Sequence, residues 1–256
     1  MSGRVHTKRR RDAPDGFFEA EAAGLAWLAE AGGAAVVRVE AVAPGRIVLE
    51  RLTPAPPTRE AAQAFGAALA VTHAAGAAAF GVPPADYAGA TYLGNQALAT
   101  RPEGWPEWGA FYAGERVLPY ARRAAERGHL GGDAFRLVER ACERIAAGDL
   151  DDDEPPARLH GDLWNGNVQW TRRGAVLIDP AAHGGHRETD LAMLDLFGCP
   201  YLGDVVRAYE EAAPLKDGWR DRLPLHQLHP LAVHAASHGA SYAGPLAAAA
   251  RATIEL

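Results

Sequence analysis

Between residues 158 and 180 the chain gathers the side chains best suited to chemistry. His160-Gly161-Asp162 sets a carboxylate in a glycine-bounded turn, and an amide, Asn167, follows five positions later. A second carboxylate, Asp179, ends the apolar run 175–178. Arg172-Arg173-Gly174 separates two β-like runs, 167–171 and 175–178, and reads as a hairpin turn. A hairpin of that length folds Asp179 back beside Asn167. Asn and Asp oxygens together suit a hard cation such as Mg²⁺, which keeps waters and leans on substrate phosphates. Asp162 is then left to meet an incoming hydroxyl. This is a layout for phosphoryl transfer, in which catalysis is mainly positioning and charge neutralisation. A lone His-Gly-Asp is common in turns, and an Asp after an apolar run often caps the next element. The spacing and the hairpin together outweigh those readings.

The scaffold for these groups is ordinary in composition. The 256 residues are 48% hydrophobic and 23% charged, near the averages of soluble globular proteins, which excludes overall disorder. At about 150 residues per domain, the length fits one large domain or two small lobes. Lys and Arg number 26 against 32 Asp and Glu, a formal charge of −6, so the basic footprint of a nucleic-acid binder is missing. Cys142 and Cys199 match no zinc or redox spacing and read as reduced thiols. The basic run Lys8-Arg9-Arg10-Arg11 has no apolar stretch behind it and is no secretory signal. No run of about 18 apolar residues suggests a membrane span. The expectation is a cytoplasmic protein without membrane or nucleic-acid partners.

The pattern divides near residue 52. Residues 1–52 read as a small lobe with a thin first strand at 4–8. A helix follows from Phe17, with Phe18, Leu25 and Leu28 at near-helical spacing and a stop at Gly32-Gly33. Strands are expected at 35–39 and 46–50, on either side of the turn signal Pro44-Gly45. Pro54, Pro56 and Pro57 mark the boundary. Residues 53–256 are mainly helical, with helices expected at 59–75, 108–127 and 133–147. A loop region holding Pro83-Pro84, Gly89, Gly94 and Gly104 lies between the first two. The acidic run 149–154 lacks the glycine turn of a calcium loop and reads as solvated. Residues 191–256 are helical with breaks at Pro200, Pro214 and Pro224. The fold class is α+β: a small β-containing lobe, then a larger helical lobe with an embedded hairpin. His234/His238 and His226/His229 have helical spacing but no evident third ligand, and polar packing is the expected role.

His160-Gly-Asp162-Leu-Trp164-Asn-Gly-Asn167 with Ile178-Asp179-Pro180 resembles the aminoglycoside phosphotransferase and protein-kinase-like superfamily. The tryptophan after Asp-Leu, and Asp179-Pro-Ala-Ala-His183-Gly-Gly-His186-Arg187-Glu188-Thr-Asp190-Leu-Ala-Met193, resemble the fructosamine kinase (ketosamine-3-kinase) family. The similarity continues through Phe17-Phe-Glu-Ala-Glu21, Glu50-Arg51-Leu52, Leu228-His229-Pro-Leu231 and Gly239-Ala-Ser241-Tyr242. It implies a bilobal protein-kinase-like fold, divided here into residues 1–52 and 53–256. It also implies ATP- and Mg²⁺-dependent phosphorylation of a sugar hydroxyl on a ketosamine, small or carried on a glycated protein lysine. In that reading Asp162 is the catalytic base, and Asn167 and Asp179 hold Mg²⁺. Lys8 contacts the nucleotide phosphates and pairs with Glu21, while Glu50, Arg51 and Leu52 form the hinge that meets adenine. His160 and Trp164 fall on the substrate side; Trp164 either stacks on the sugar or packs the loop. Asp190 braces the catalytic loop.

One departure stands out. The family carries two strands and a glycine-containing loop ahead of the nucleotide lysine, whereas seven residues precede Lys8 and only Gly3 could serve such a loop. The small lobe therefore reads as truncated. Two alternatives follow: a phosphotransferase for an aminoglycoside, homoserine or choline-like alcohol, and a nucleotide-binding pseudokinase. A scaffold has no chemical need for Asp162, Asn167 and Asp179 together, which counts against the last.

Overall fold

The computed structural model describes residues 5–256. Gly3, and Arg4 of the expected first strand, lie outside them. In chain order the elements begin with β1 (Val5–Arg9), α1 (Phe17–Glu30), β2 (Val39–Ala43), β3 (Arg46–Glu50), α2 (Arg59–Ala74), β4 (Thr91–Leu93) and β5 (Gln96–Leu98). Then come α3 (Trp108–Phe111), a π-helical turn (Tyr112–Val117), α4 (Leu118–Glu126) and α5 (Gly132–Ala146). Four short strands follow: β6 (Ala157–Leu159), β7 (Val168–Thr171), β8 (Gly174–Leu177) and β9 (His183–Gly185). The chain ends with α6 (Arg187–Phe197), α7 (Leu202–Ala212), α8 (Leu223–His238) and α9 (Ala243–Glu255). Among the described residues no helix is long and apolar enough to cross a membrane.

Packing divides the chain into two units. Met1–Gly104 with Pro156–Leu215 forms the first, and Trp105–Pro155 with Lys216–Leu256 the second. In the first, β3 is the centre of an antiparallel sheet ordered β1-β3-β2. Phe18 and Leu25 of α1 pack with Val37, Ile47, Leu49 and Val176. A second apolar cluster joins Phe65 and Leu69 of α2 to Leu163, Val168, Trp170, Leu177, Leu191, Val205 and Tyr209. This cluster seats the β7–β8 hairpin against three helices. Thr58 caps α2 by accepting from the Ala61 amide at 3.2 Å.

The second unit is helical. α5 packs on α9, and α8 on both α4 and α9. Pro230 lies inside α8 and supplies no N–H for the His226 carbonyl one turn earlier. The Tyr112 hydroxyl fills that gap, donating to His226 O at 2.8 Å. His229 Nδ1 donates to Arg116 O at 2.7 Å, and burial pushes its pKa down to about 3. Cys142 is buried, and burial lifts its thiol to about 12.

Several expectations are corrected. The strand expected at 35–39 lies instead at Val39–Ala43, because the Pro44-Gly45 turn pairs Ala43 with Arg46. The earlier residues bond elsewhere: Val37 N donates to Leu177 O and Leu177 N to Ala35 O. The loop expected between Pro83 and Gly104 contains the β4–β5 hairpin, and β6 pairs with β9. The helix expected at 108–127 is interrupted by the π turn. The acidic run is not wholly solvated, since the Asp152 side chain is 15% exposed and pairs with Arg222 at 3.3 Å.

Where α2 crosses α7, a Cβ on Gly66 would stand 2.0 Å from the Val205 carbonyl oxygen. Gly66→Ala is predicted to cost about 1–3 kcal/mol by forcing the helices apart, read from the urea midpoint. A change below about 0.5 kcal/mol would show that the crossing is loose.

Candidate active site

The turn at residues 160–162 hangs from a buried carboxylate. Asp190, in the first turn of α6, accepts from the backbone amides of His160 at 2.8 Å and Gly161 at 3.0 Å. His73, at the end of α2, donates through Nε2 to the same carboxylate at 3.2 Å, and its Nδ1 lies 2.9 Å from the Tyr209 hydroxyl. Burial alone would raise the Asp190 pKa, but the His73 hydrogen bond and charge, with His160 beyond, carry it below the usual range. Gly161 has φ +78°, and a Cβ there would meet Ala181 O at 2.2 Å; only glycine fits this turn.

His160 is 1% exposed, and both of its ring nitrogens are used inside the loop. Nε2 donates to Ile178 O at 2.9 Å, and Nδ1 accepts from the Asp162 amide at 3.3 Å. Burial lowers its pKa, so the ring is neutral at pH 7. It does not line the cavity that holds Asp162 and works as a loop brace.

The β7–β8 hairpin does what its length requires. Val168 pairs with Leu177, and Ile178 N donates to Asn167 O at 3.0 Å, which sets Asp179 beside Asn167. Asp179 has φ +54°, a left-handed conformation that non-glycine residues rarely hold without a surrounding constraint. Asn167 Nδ2 donates to Asp162 O at 2.8 Å and to Asp162 Oδ2 at 3.0 Å. Both contacts commit Nδ2 to Asp162, which turns Oδ1 to the other side of the amide. That oxygen and the Asp179 carboxylate form a hard donor pair, which fits Mg²⁺. Asp162 is pushed up to about 7: burial dominates, the Asn167 bond opposes it, and Asp179 and Asp190 add repulsion.

Lys8, on edge strand β1, joins the group from the small sheet. Its Nζ lies 2.7 Å from Glu21 Oε1 on α1 and also contacts Asp179. Burial would lower the Lys8 pKa, but Glu21 and Asp179 outweigh it and hold the amine charged. Two cavities meet at Lys8 and Asp179. One, of about 480 Å³, is walled by Val37, Leu49, Ile178 and the Glu50-Arg51-Leu52 segment. The other, of about 390 Å³, holds Asp162, Asn167 and Trp164 with Phe17 and Tyr92. Trp164 is 42% exposed, and its ring sits against the Gly166 backbone. The Glu50 side chain reaches Arg173 at 3.4 Å and accepts from the Arg38 amide at 3.3 Å.

The structure thus brings together Lys8, Glu21, Asp162, Asn167 and Asp179, with Glu50, Arg51 and Leu52 across the second cavity. Sequence reasoning missed His73, Tyr209 and the hairpin residue Tyr92. A histidine in the last turn of a helix carries no distinguishing local signal.

The fold is the kinase-like phosphotransferase fold. A solved aminoglycoside phosphotransferase shares the fold at a TM-score of 0.62 and 13% identity, over 100% of this chain and 88% of that one. More narrowly, a family model described as fructosamine kinase matches residues 2–254, and the chain belongs to that family. A structure from Thermobifida fusca described as a fructosamine-3-kinase is 49% identical, covering 98% of this chain and 86% of its own, with a TM-score of 0.91. A Thermus thermophilus protein described as a ketoamine kinase is 35% identical over 245 residues, 95% of this chain and 85% of its own.

Removing the Asp190 carboxylate strands two buried amides and the His73 ring. Asp190→Ala is predicted to cost about 2–4 kcal/mol in denaturant unfolding. A loss under about 1 kcal/mol would show that water or a neighbour replaces the carboxylate.

Proposed function

We propose that the protein transfers the γ-phosphoryl group of ATP to a sugar hydroxyl of a ketosamine, with Mg²⁺. The observation that carries this is the meeting of Lys8, Asp162, Asn167 and Asp179 where the two cavities join. Family membership supplies the acceptor class. The nucleotide base occupies the cavity walled by Glu50-Arg51-Leu52, and the acceptor occupies the one containing Asp162 and Trp164.

The residues then divide the work. Asp162, held by Asn167, accepts the acceptor hydroxyl's proton as the oxygen bonds to phosphorus and the bond to the ADP oxygen breaks. The phosphorylated sugar and ADP are the products. Lys8 supplies a positive charge at the phosphates, and Glu21 holds its amine in place. Asn167 and Asp179 would hold Mg²⁺, whose contribution when bound is to neutralise phosphate charge. His160 and Asp190 touch no substrate; they fix the turn from which Asp162 projects. Both free sugar–amine adducts and glycated protein lysines carry the required hydroxyl, so deglycation of protein is included in the proposal.

The test is ADP release from ATP and Mg²⁺ with fructose-lysine and ribulose-lysine beside choline, homoserine and an aminoglycoside. Ketosamines are expected to lead by at least tenfold in kcat/KM, with Asp162→Asn lowering turnover more than a hundredfold. Preference for another alcohol would reassign the acceptor. Undiminished turnover by Asp162→Asn would remove the base from the mechanism.

The pH profile follows from Asp162. The base acts only when deprotonated, and its pKa is about 7. Activity is therefore predicted to rise through pH 7 and to fall about tenfold per unit below pH 6. A flat profile from pH 5.5 to 8 would contradict this.

A further inference from the structure

The β4–β5 hairpin spans both elements that carry the Lys8–Glu21 pair. At the start of α1, the Tyr92 hydroxyl donates to Asp15 O at 2.8 Å, and the Tyr92 ring lies 5.4 Å from Phe17. Phe17 is one helical turn before Glu21. Tyr87, just ahead of the hairpin, donates to Gly16 O at 3.1 Å. At the end of β1, Arg10 donates to Asn95 Oδ1 at the hairpin tip at 2.7 Å, and its guanidinium lies over Phe17 at 5.0 Å. Arg10 is two residues beyond Lys8. One short hairpin therefore holds the helix bearing Glu21 and the strand bearing Lys8.

The same hairpin walls the acceptor cavity. Thr91, Tyr92 and Gly94 line it together with Asp162, Trp164 and Asp179. The α1 N-terminus has no side-chain cap, and two tyrosine hydroxyls grip the carbonyls just ahead of it. Such a helix start moves with the residues that hold it.

We infer that the β4–β5 hairpin is an acceptor-side clamp, in which Tyr92 both walls the acceptor cavity and positions Glu21 against Lys8. Filling the acceptor cavity presses on the Tyr92 ring, and the hydroxyl tie passes that contact to α1. The acceptor role of the cavity rests on the function proposed above; the positioning of Lys8 and Glu21 does not. Tyr92 thus contributes in two separable ways, through its ring to acceptor affinity and through its hydroxyl to nucleotide affinity.

Two variants separate these parts. Tyr92→Phe keeps the ring and removes the tie to Asp15. Its dissociation constant for the non-hydrolysable ATP analogue AMP-PNP with Mg²⁺, measured by calorimetry, is expected to rise three- to tenfold, with acceptor KM within twofold of the parent. Tyr92→Ala is expected to raise acceptor KM at least tenfold as well. Asn95→Ala, which releases Arg10, is expected to weaken AMP-PNP binding in the same direction. It provides the reading if Tyr92→Ala fails to fold.

The deciding measurement is a cycle with Glu21→Gln. If the tie acts through Glu21, Tyr92→Phe adds less than twofold in that background. Equal effects of Tyr92→Phe with Glu21 and with Gln at that position would overturn the clamp, as would unchanged AMP-PNP binding in both Tyr92→Phe and Asn95→Ala. The binding cycle needs no acceptor. A protein that ignores ketosamines while showing the cycle refutes the proposed acceptor but not the coupling, and the converse result refutes the coupling alone.

Discussion

A carboxylate taken out of water costs several kcal/mol unless its charge and lone pairs are met, and Asp190 is 1% exposed. Its three partners come from two places far from it in sequence: the adjacent His160 and Gly161 amides, and the His73 ring. Meeting that demand brings the end of β6, the start of α6 and the end of α2 to one point. The turn carrying Asp162 is then no free loop but a backbone fixed at two successive amides. From the same turn, His160 reaches across to Ile178 O and locates the end of the β7–β8 hairpin. Asp179 follows one residue later.

The electrostatics of the site follow from that geometry. Asp162, Asp179 and Glu21 are three carboxylates around one lysine. Lys8 pairs with Glu21 and Asp179, and Asn167 donates to Asp162. Burial raises the pKa of Glu21 and lifts that of Asp162 to about 7. Asp179 is held in a left-handed conformation, with its carboxylate on Lys8.

The legible part of the site was the local part. Asp162, Asn167 and Asp179 lie within 18 residues, joined by a two-residue turn, so spacing alone placed them together. Lys8 and Glu21 sit on separate elements of the small lobe and were found through resemblance, because a lysine in a basic run has no signature of its own. The His73–Asp190 contact spans 117 positions, which no periodicity reveals. The β4–β5 hairpin has three-residue strands, too short for an alternation signal, and its glycines read as loop. The strand expected at 35–39 failed for a related reason. Its apolar run was recognised, but the partner was Leu177, over 130 residues away, and not the neighbouring strand. Local pattern names an element, whereas tertiary hydrogen bonding decides which sheet it joins.

We propose that this site joins phosphate to a ketosamine hydroxyl. The most direct measurement is ³¹P NMR of the protein incubated with ATP, Mg²⁺ and fructose-lysine. A new phosphomonoester resonance, split by a sugar proton and growing in step with ADP, is the predicted result. ADP appearing only with inorganic phosphate, or no ATP consumption while AMP-PNP still binds, would contradict it.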